Sequence, residues 1–162
     1  MTTATNAIRP ATVNDVPLVL HFIRSLAEYE QLLHEVVATE AAIKEHLFGP
    51  RPFCEALIAE DGDGPAGFAL FYHTYSTFLA RPGIHLEDLF VVPKRRGRGL
   101  GKALLVHLAR IAVERDCGRV EWAVLDWNTP SIGFYRSLGA QLMDEWTTCR
   151  LDGDALTRLA EG

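Results

Sequence analysis

From Val16 to Ala27 the apolar residues Val16, Val19, Leu20, Ile23, Leu26 and Ala27 follow the i, i+3, i+4, i+7 spacing of a helix with one buried stripe. Asn14, Asp15 and Pro17 supply cap and first-turn chemistry, so the helix opens there and ends near Tyr29. Ala7 to Arg9 ahead of it suits a short strand. A second helix is predicted from Thr39 through Ala42, Ile43 and Leu47 until Gly49 and Pro50 stop it, with Glu30 to Ala38 as a loop between the two. Phe53 to Ala59 and Gly67 to His73 read as strands, joined by Asp61 to Gly64, whose Asp-Gly-Asp-Gly sequence suits a hairpin turn. Tyr75 to Gly83 carries turn residues and two aromatics and is expected to be a mobile loop.

Ile84 to Val92 is rich in branched and aromatic residues and is predicted to be a central strand, although Glu87 and Asp88 interrupt it. The next helix would bury Leu100, Ala103, Leu104, His107, Leu108 and Ile111 and end at Gly118. Arg119 to Leu125 alternates as a strand. Asn128 and Pro130 then open a short helix that Gly139 closes, before a last strand through Gln141 to Arg150. Strand, crossover helix and strand from Ile84 to Leu125 should form a right-handed parallel unit. With antiparallel hairpins before it, the sheet is mixed and the fold class is α/β. At 162 residues without internal repeats, one domain is expected over 1–162.

Composition narrows the chemistry by exclusion. Apolar content of 48% with 23% charged residues is ordinary for a globular protein, and no apolar run approaches the roughly 18 residues of a membrane span. Met1 to Asn6 is polar and lacks the pattern of a secretory leader, so a cytoplasmic protein is expected. Cys54, Cys117 and Cys149 show no CxxC spacing and read as structural thiols, and six scattered histidines lack HExxH, so no metal site is expected. A net charge of -5 argues against nucleic acid as a partner. That charge is unevenly spread. Lys94, Arg95, Arg96, Arg98 and Lys102 crowd one glycine-rich loop, so the rest of the chain sets 11 Lys and Arg against 21 Asp and Glu. A positive cradle in an acidic body suits two substrates of opposite sign, one phosphorylated and one cationic.

Arg-Gly-Arg-Gly-Leu-Gly, Arg96 to Gly101, follows a predicted strand and opens a helix, where backbone amides and cations meet phosphate. A P-loop would need Ser or Thr after Gly101 and Lys102, where Ala103 stands. A dinucleotide fold would place such a loop after the first strand, whereas four predicted strands precede this one. The remaining alternative, a solvated basic turn, leaves five cations to repel one another without an anion.

At this point the chain resembles the GNAT superfamily of N-acetyltransferases. Arg96, Gly99 and Gly101 fit its (Gln/Arg)xxGxGly signature, and the likeness is closer to the diamine and thialysine acetyltransferase branch. It rests on LAEYEQ (Leu26 to Gln31), YSTF (Tyr75 to Phe78), HLEDLFV (His85 to Val91), RGRGLG and VLDWNTPSIGFYRSLGA (Val124 to Ala140), which span nearly the whole chain in order. The resemblance implies a central, mostly antiparallel sheet flanked by helices, with a parallel strand pair at the cofactor site. It implies acetyl-coenzyme A as that cofactor. Amides of Gly97, Arg98, Gly99, Leu100, Gly101 and Lys102, with Arg96, would hold the pyrophosphate, and main-chain groups of Leu89, Phe90 and Val91 would align the pantetheine. Asn128 and Ser131 match further cofactor-side positions.

Amine acetylation needs an ammonium of pKa near ~10 to lose a proton and a thiolate, pKa about 8.5, to gain one. Tyr135 matches the family tyrosine near the cofactor sulfur, which makes it the first candidate for general acid; on residue pattern alone an aromatic packing a short helix is the favoured reading. Glu87 matches the carboxylate that contacts the amine and could take its proton directly or through water; the plainer reading is a salt bridge. Since adjacent strand residues face opposite sides, Asp88 is expected to be structural or at the sheet's other face. Tyr29 and Glu30 match acceptor-site residues, and Asp126 and Trp127, at a strand end, suit a cationic amine, with Trp146 a further candidate. The diamine enzymes carry an aspartate before this strand where the chain has Ser76, and VLDWN is nearer the thialysine branch, so a lysine-like amine competes with a polyamine. No cysteine stands beside a motif that would make it a nucleophile, so direct attack in a ternary complex is expected. The resemblance also implies a homodimer. Two other readings stay open: an acetyltransferase for protein lysines or N-termini, and an acyl-coenzyme A sensor that transfers nothing.

Overall fold

The architecture comes from a computed structural model that describes residues 6–162. The polar stretch Met1 to Thr5, on which the expectation of no secretory leader partly rests, lies outside the described residues. Two compact units are present, the first ending at Ala123 and the second comprising Val124–Gly162.

The first unit holds a five-stranded sheet of β1 (Ala7–Pro10), β2 (Glu55–Asp61), β3 (Gly64–Ser76), β4 (Arg81–Val91) and β5 (Val120–Glu121), in that spatial order. β1 to β4 pair antiparallel and β4 pairs parallel with β5, so the mixed sheet read from the sequence is present. Helix α1 (Val16–Tyr29) and helix α2 (Glu40–Phe48) start and stop within a residue of their predicted limits, and Thr39 caps α2 by accepting the Ala42 amide at 3.2 Å. A short 3-10 turn, Leu33–Glu35, interrupts the loop between them.

Alternation along paired strands separates two apolar layers. On one face Val16, Val19, Leu20 and Phe22 of α1 and Ile43 and Leu47 of α2 pack with Ala56, Ile58, Phe68 and Phe90. The Phe22 ring lies 5.5 Å from Phe68 and 5.8 Å from Phe90, which locks α1 onto β3 and β4. Helix α3 (Leu100–Glu114) covers the other face with Leu100, Leu104, Leu105, Leu108 and Ala112. The predicted stripe was displaced by part of a turn, since Ala103, His107 and Ile111 are only half-buried. Arg9 ties β1 to the start of α1. Its guanidinium donates to both Asp15 carboxylate oxygens at 2.7 and 3.0 Å and to Glu60 at 2.9 Å, which holds the Asp15 carboxyl down at about 2.

Four expectations are corrected. Tyr75 to Gly83 is no mobile loop: β3 and β4 stay paired out to Ser76↔Arg81, and only Thr77 to Ala80 turns. Pro82 and Gly83 look like turn residues, but cross-strand pairing carries them, and the Ser76 hydroxyl, 7% exposed as a residue, closes the tip by accepting the Leu79 amide at 3.3 Å. Arg119 to Leu125 shrinks to Val120–Glu121, the only residues of that segment paired with β4. Helix α3 stops at Glu114, with Asp116 rather than Gly118 in the left-handed region at φ 55°. In the second unit, Gln141 to Arg150 forms no strand. A turn from the Trp146 amide to the Met143 carbonyl at 3.1 Å breaks it, and both side chains are exposed. That unit holds α4 (Thr129–Ser137), closed at Gly139 as predicted, and α5 (Gly153–Glu161), a helix the periodicity reading missed. No helix among the described residues is long and apolar enough to cross a membrane.

Truncating Phe22 to Ala should lower unfolding free energy by about 3 to 5 kcal/mol in urea denaturation, because the ring is 1% exposed and stacked between two strands. A loss under about 1 kcal/mol would mean that α1 is held by something other than this layer.

Candidate functional site

The glycine loop is built as the sequence suggests at its glycines and differently at its arginines. Gly97 and Gly99 take φ 78° and 80°, left-handed values that a side chain resists, and Gly99 is the residue from which α3 starts. No side chain caps that end, so the first-turn amides of Leu100, Gly101 and Lys102 have no intrahelical acceptor. Gly101 has a negative φ, and a methyl group built there would meet only Val91 at 3.9 Å, ordinary contact. Nothing among the described residues demands glycine at 101; a ligand lying against the helix start would. Free amides, a helix dipole and the exposed Lys94 and Lys102 fit a phosphate-bearing group.

Mutual repulsion among the five cations is relieved by the protein itself. Arg95 donates to Asp61 at 2.6 Å, and Arg98 lies 3.4 Å from the other oxygen of that carboxylate. Arg96 donates from Nε to the Val91 carbonyl at 2.9 Å, and its guanidinium carbon sits 4.9 Å over the Tyr29 ring and 5.7 Å over Phe90. The loop is thereby tied to the end of α1, where Tyr29 and Glu30 stand.

Leu89, Phe90 and Val91 run along β4 toward this loop. The ladder to β5 covers only Ile84↔Val120 and His85↔Glu121, so beyond His85 that edge of β4 has no strand partner among the described residues. Apart from the Val91 carbonyl, which accepts from Arg96, its main-chain groups are available to an extended ligand, as in strand addition.

The two acids of β4 do not alternate. Leu70 pairs with Asp88 and Phe71 with Leu86, leaving Glu87 as an extra residue on β4, a β-bulge. Tyr72 pairs with His85, and since Tyr72 and Leu70 share a face, His85 and Asp88 share it too. Glu87 lies on that same side, with its carboxylate 3.3 Å from His85 Nε2. The expected assignment of Asp88 to the opposite face is therefore overturned, and the salt bridge to an arginine is replaced by a histidine contact. Asp88 is half-buried, and burial first, then the charges of Glu87 and Glu30, push its carboxyl up to about 7. Burial raises Glu30 as well. Sequence reasoning missed Asp88 because a bulge leaves no mark in an apolar/polar pattern, and it passed over Asp61 as a turn residue.

In the second unit, Asn128 is buried and caps α4, its Oδ1 accepting the Ser131 amide at 3.4 Å. Asn128 thus has a structural task of its own, and the Ser131 amide is engaged by it. Tyr135 is half-buried on α4, its ring 5.6 Å from that of Phe134. Asp126 and Trp127 precede the helix and are exposed, and Trp146 is 78% exposed. Among the described residues no group of His, Cys, Asp and Glu is arranged to hold a metal ion.

Comparisons with known proteins agree along the chain. The profile of the acetyltransferase (GNAT) family matches residues 21–140. The chain is 38% identical over 164 residues to the thialysine N-epsilon-acetyltransferase of Bos taurus, covering 94% of this chain and 96% of that one. It is 36% identical over 194 residues to an L-ornithine N5-acetyltransferase of Arabidopsis thaliana, covering 92% and 85%. Among solved structures, an integron cassette protein from the mobile metagenome of V. cholerae superposes with a TM-score of 0.79 at 28% identity, covering 97% and 98%.

The raised Asp88 carboxyl has a measurable consequence. In the unfolded chain it returns to its ordinary value near 3.8, so between pH 3.8 and about 7 the folded protein holds a proton that the unfolded chain releases. The stability it contributes is full below pH 3.8 and is lost as pH rises through about 7. Asp88→Asn should therefore raise Tm at pH 8 by roughly 3 °C or more, with the gain fading as pH falls toward ~4. An unchanged Tm at pH 8 would show that Asp88 carries no buried charge.

Proposed function

This chain belongs to the acetyltransferase (GNAT) family and is an N-acetyltransferase, and from that premise we propose that it transfers the acetyl group of acetyl-coenzyme A to the primary amine of a small cationic acceptor, a diamine or a lysine-like amine. The observation that carries the acceptor class is the bulge in β4, which turns Glu87 and Asp88 onto one face and within electrostatic reach of Glu30. Repulsion among these carboxyls contributes to the raised Asp88 pKa, and a bound cation would relieve it. Thialysine and ornithine, named for two relatives, are both amines of this kind.

Bound acetyl-coenzyme A would supply the acyl electrophile and a thiolate leaving group. The chain's own residues do the rest. Amides from Gly97 to Lys102, with Arg96, hold the pyrophosphate; the free edge of Leu89 to Val91 orients the pantetheine. Glu87, with His85 beside it, takes the proton that the attacking ammonium must shed, directly or through water. Tyr135 donates a proton to the departing sulfur, a role its half-buried phenol can fill. Asn128 sets the start of the helix that carries Ser131 and Tyr135. Tyr29, Glu30, Asp126, Trp127 and Trp146 contact the acceptor, the acids by charge and the aromatics through their faces. Attack is direct, in a ternary complex. The family profile runs across the boundary between the two units, so we read the chain as a single acetyltransferase domain, acting in the cytoplasm as a homodimer.

Ser76 bears on the acceptor. Where the diamine enzymes carry an aspartate, this serine spends its hydroxyl on the hairpin tip, which favours a lysine-like amine over a longer polyamine.

Thiol release from acetyl-coenzyme A should be stimulated by one or more of ornithine, thialysine, lysine, putrescine and spermidine, with short lysine peptides inert. Stimulation by peptides alone would move the acceptor to proteins, and tight cofactor binding with no stimulated release would favour a sensor. Tyr135→Phe should lower kcat by roughly 10- to 100-fold with cofactor affinity within about two-fold of the parent. Unchanged kcat would remove Tyr135 from the chemistry.

A further inference from the structure

The β2–β3 hairpin turn, at the opposite end of these strands from the Thr77–Ala80 tip, carries Asp61 and Asp63. The Asp61 side chain is only 2% exposed. One oxygen accepts from Arg95 at 2.6 Å and from the Asp63 amide at 2.9 Å; the other faces Arg98 at 3.4 Å. The same arginine, Arg95, also donates to the Gly64 carbonyl at 3.0 Å and to the Asp63 carbonyl at 3.2 Å, so both of its terminal nitrogens are engaged by the hairpin. Arg98 is bound loosely, with a side chain 53% exposed and Asp63 at 3.9 Å. The five cations of the loop thus divide: Arg95 is a strut, Arg98 leans on the same carboxylate, Arg96 is held by the Val91 carbonyl and the Tyr29 ring, and Lys94 and Lys102 are left for other partners.

We propose that Asp61 is a positioning residue for the cofactor loop: through Arg95 it braces residues 93–99 against the β2–β3 hairpin, so that Gly97, Gly99 and the first-turn amides of α3 are already placed for a pyrophosphate. The proposal rests on the acetyl-coenzyme A reading above and adds a residue that contacts no substrate. The brace explains why a nearly buried carboxylate sits under a loop meant to attract anions. Charge alone makes Asp61 a competitor for the phosphates, and its removal should then tighten their binding. A brace makes the opposite prediction, because loop amides that must be ordered at the moment of binding bind more weakly.

The test is Asp61→Asn, which keeps the shape and removes the charge. Isothermal titration with coenzyme A and steady-state kinetics should give a roughly ten-fold rise in Kd and in KM for acetyl-coenzyme A, with kcat at saturating cofactor and KM for the amine within about two-fold of the parent. Amide hydrogen exchange without ligand should quicken across residues 93–102 and not in α1. Should the asparagine variant fail to fold, Arg95→Lys serves instead, since it keeps the loop's charge and loses the three-way fork; a rise of about three-fold in Kd is expected. Unchanged or tighter coenzyme A binding in either folded variant overturns the brace. If exchange quickens as described but the parent protein binds no coenzyme A, it is the acetyl-coenzyme A reading that fails.

Discussion

One residue too many in β4 sets the character of this protein. Antiparallel pairing of β3 with β4 runs in one register from Gly67↔Val91 to Leu70↔Asp88 and in another from Phe71↔Leu86 outward, and Glu87 absorbs the difference. Without that bulge, strict alternation would send Glu87 and Asp88 to opposite faces, one of them into the apolar layer under α3. With it, both stand on the α1 side near Glu30, beside His85 and Tyr72. Burial there, and two like charges, account for the raised Asp88 carboxyl. Beyond the bulge, β4 also leaves β5, which frees a main-chain edge leading straight to the glycine loop.

The molecule separates its charges along this strand. Carboxyls gather at the bulge, and cations gather at the loop beyond the strand's end, with Arg96 bridging the two by lying over Tyr29 and binding the Val91 carbonyl. Opposite fields at neighbouring parts of one strand suit the phosphorylated donor and cationic acceptor proposed above. The apolar layer of Phe22, Phe68 and Phe90 keeps α1 in place, so that Tyr29 and Glu30 come to the site as the end of a fixed helix.

Much of this was legible from residue order. The spacing from Val16 to Ala27, the cap at Thr39 and the glycine loop before Leu100 placed α1, α2 and the start of α3 within a residue or two, because each signal is local. Pairing was less legible. Pro82 and Gly83 looked like loop until their partners Tyr75 and Thr74 were known, and Arg119 to Leu125 looked like a strand although only Val120–Glu121 finds a neighbour. Motif resemblance supplied the roles proposed for Glu87 and Tyr135, which composition alone would have left as a strand acid and a packing ring. Asp88 was misplaced and Asp61 escaped notice for the same reason: a bulge and a long-range ion pair depend on residues far apart in the chain.

The central claim is that donor and acceptor are held together and the amine attacks the thioester directly. Initial rates measured with acetyl-coenzyme A and the best amine varied together test it most directly. The account predicts intersecting double-reciprocal lines and no acetyl group left on the protein when the amine is omitted. Parallel lines, with a protein that keeps an acetyl group after the coenzyme leaves, would contradict it.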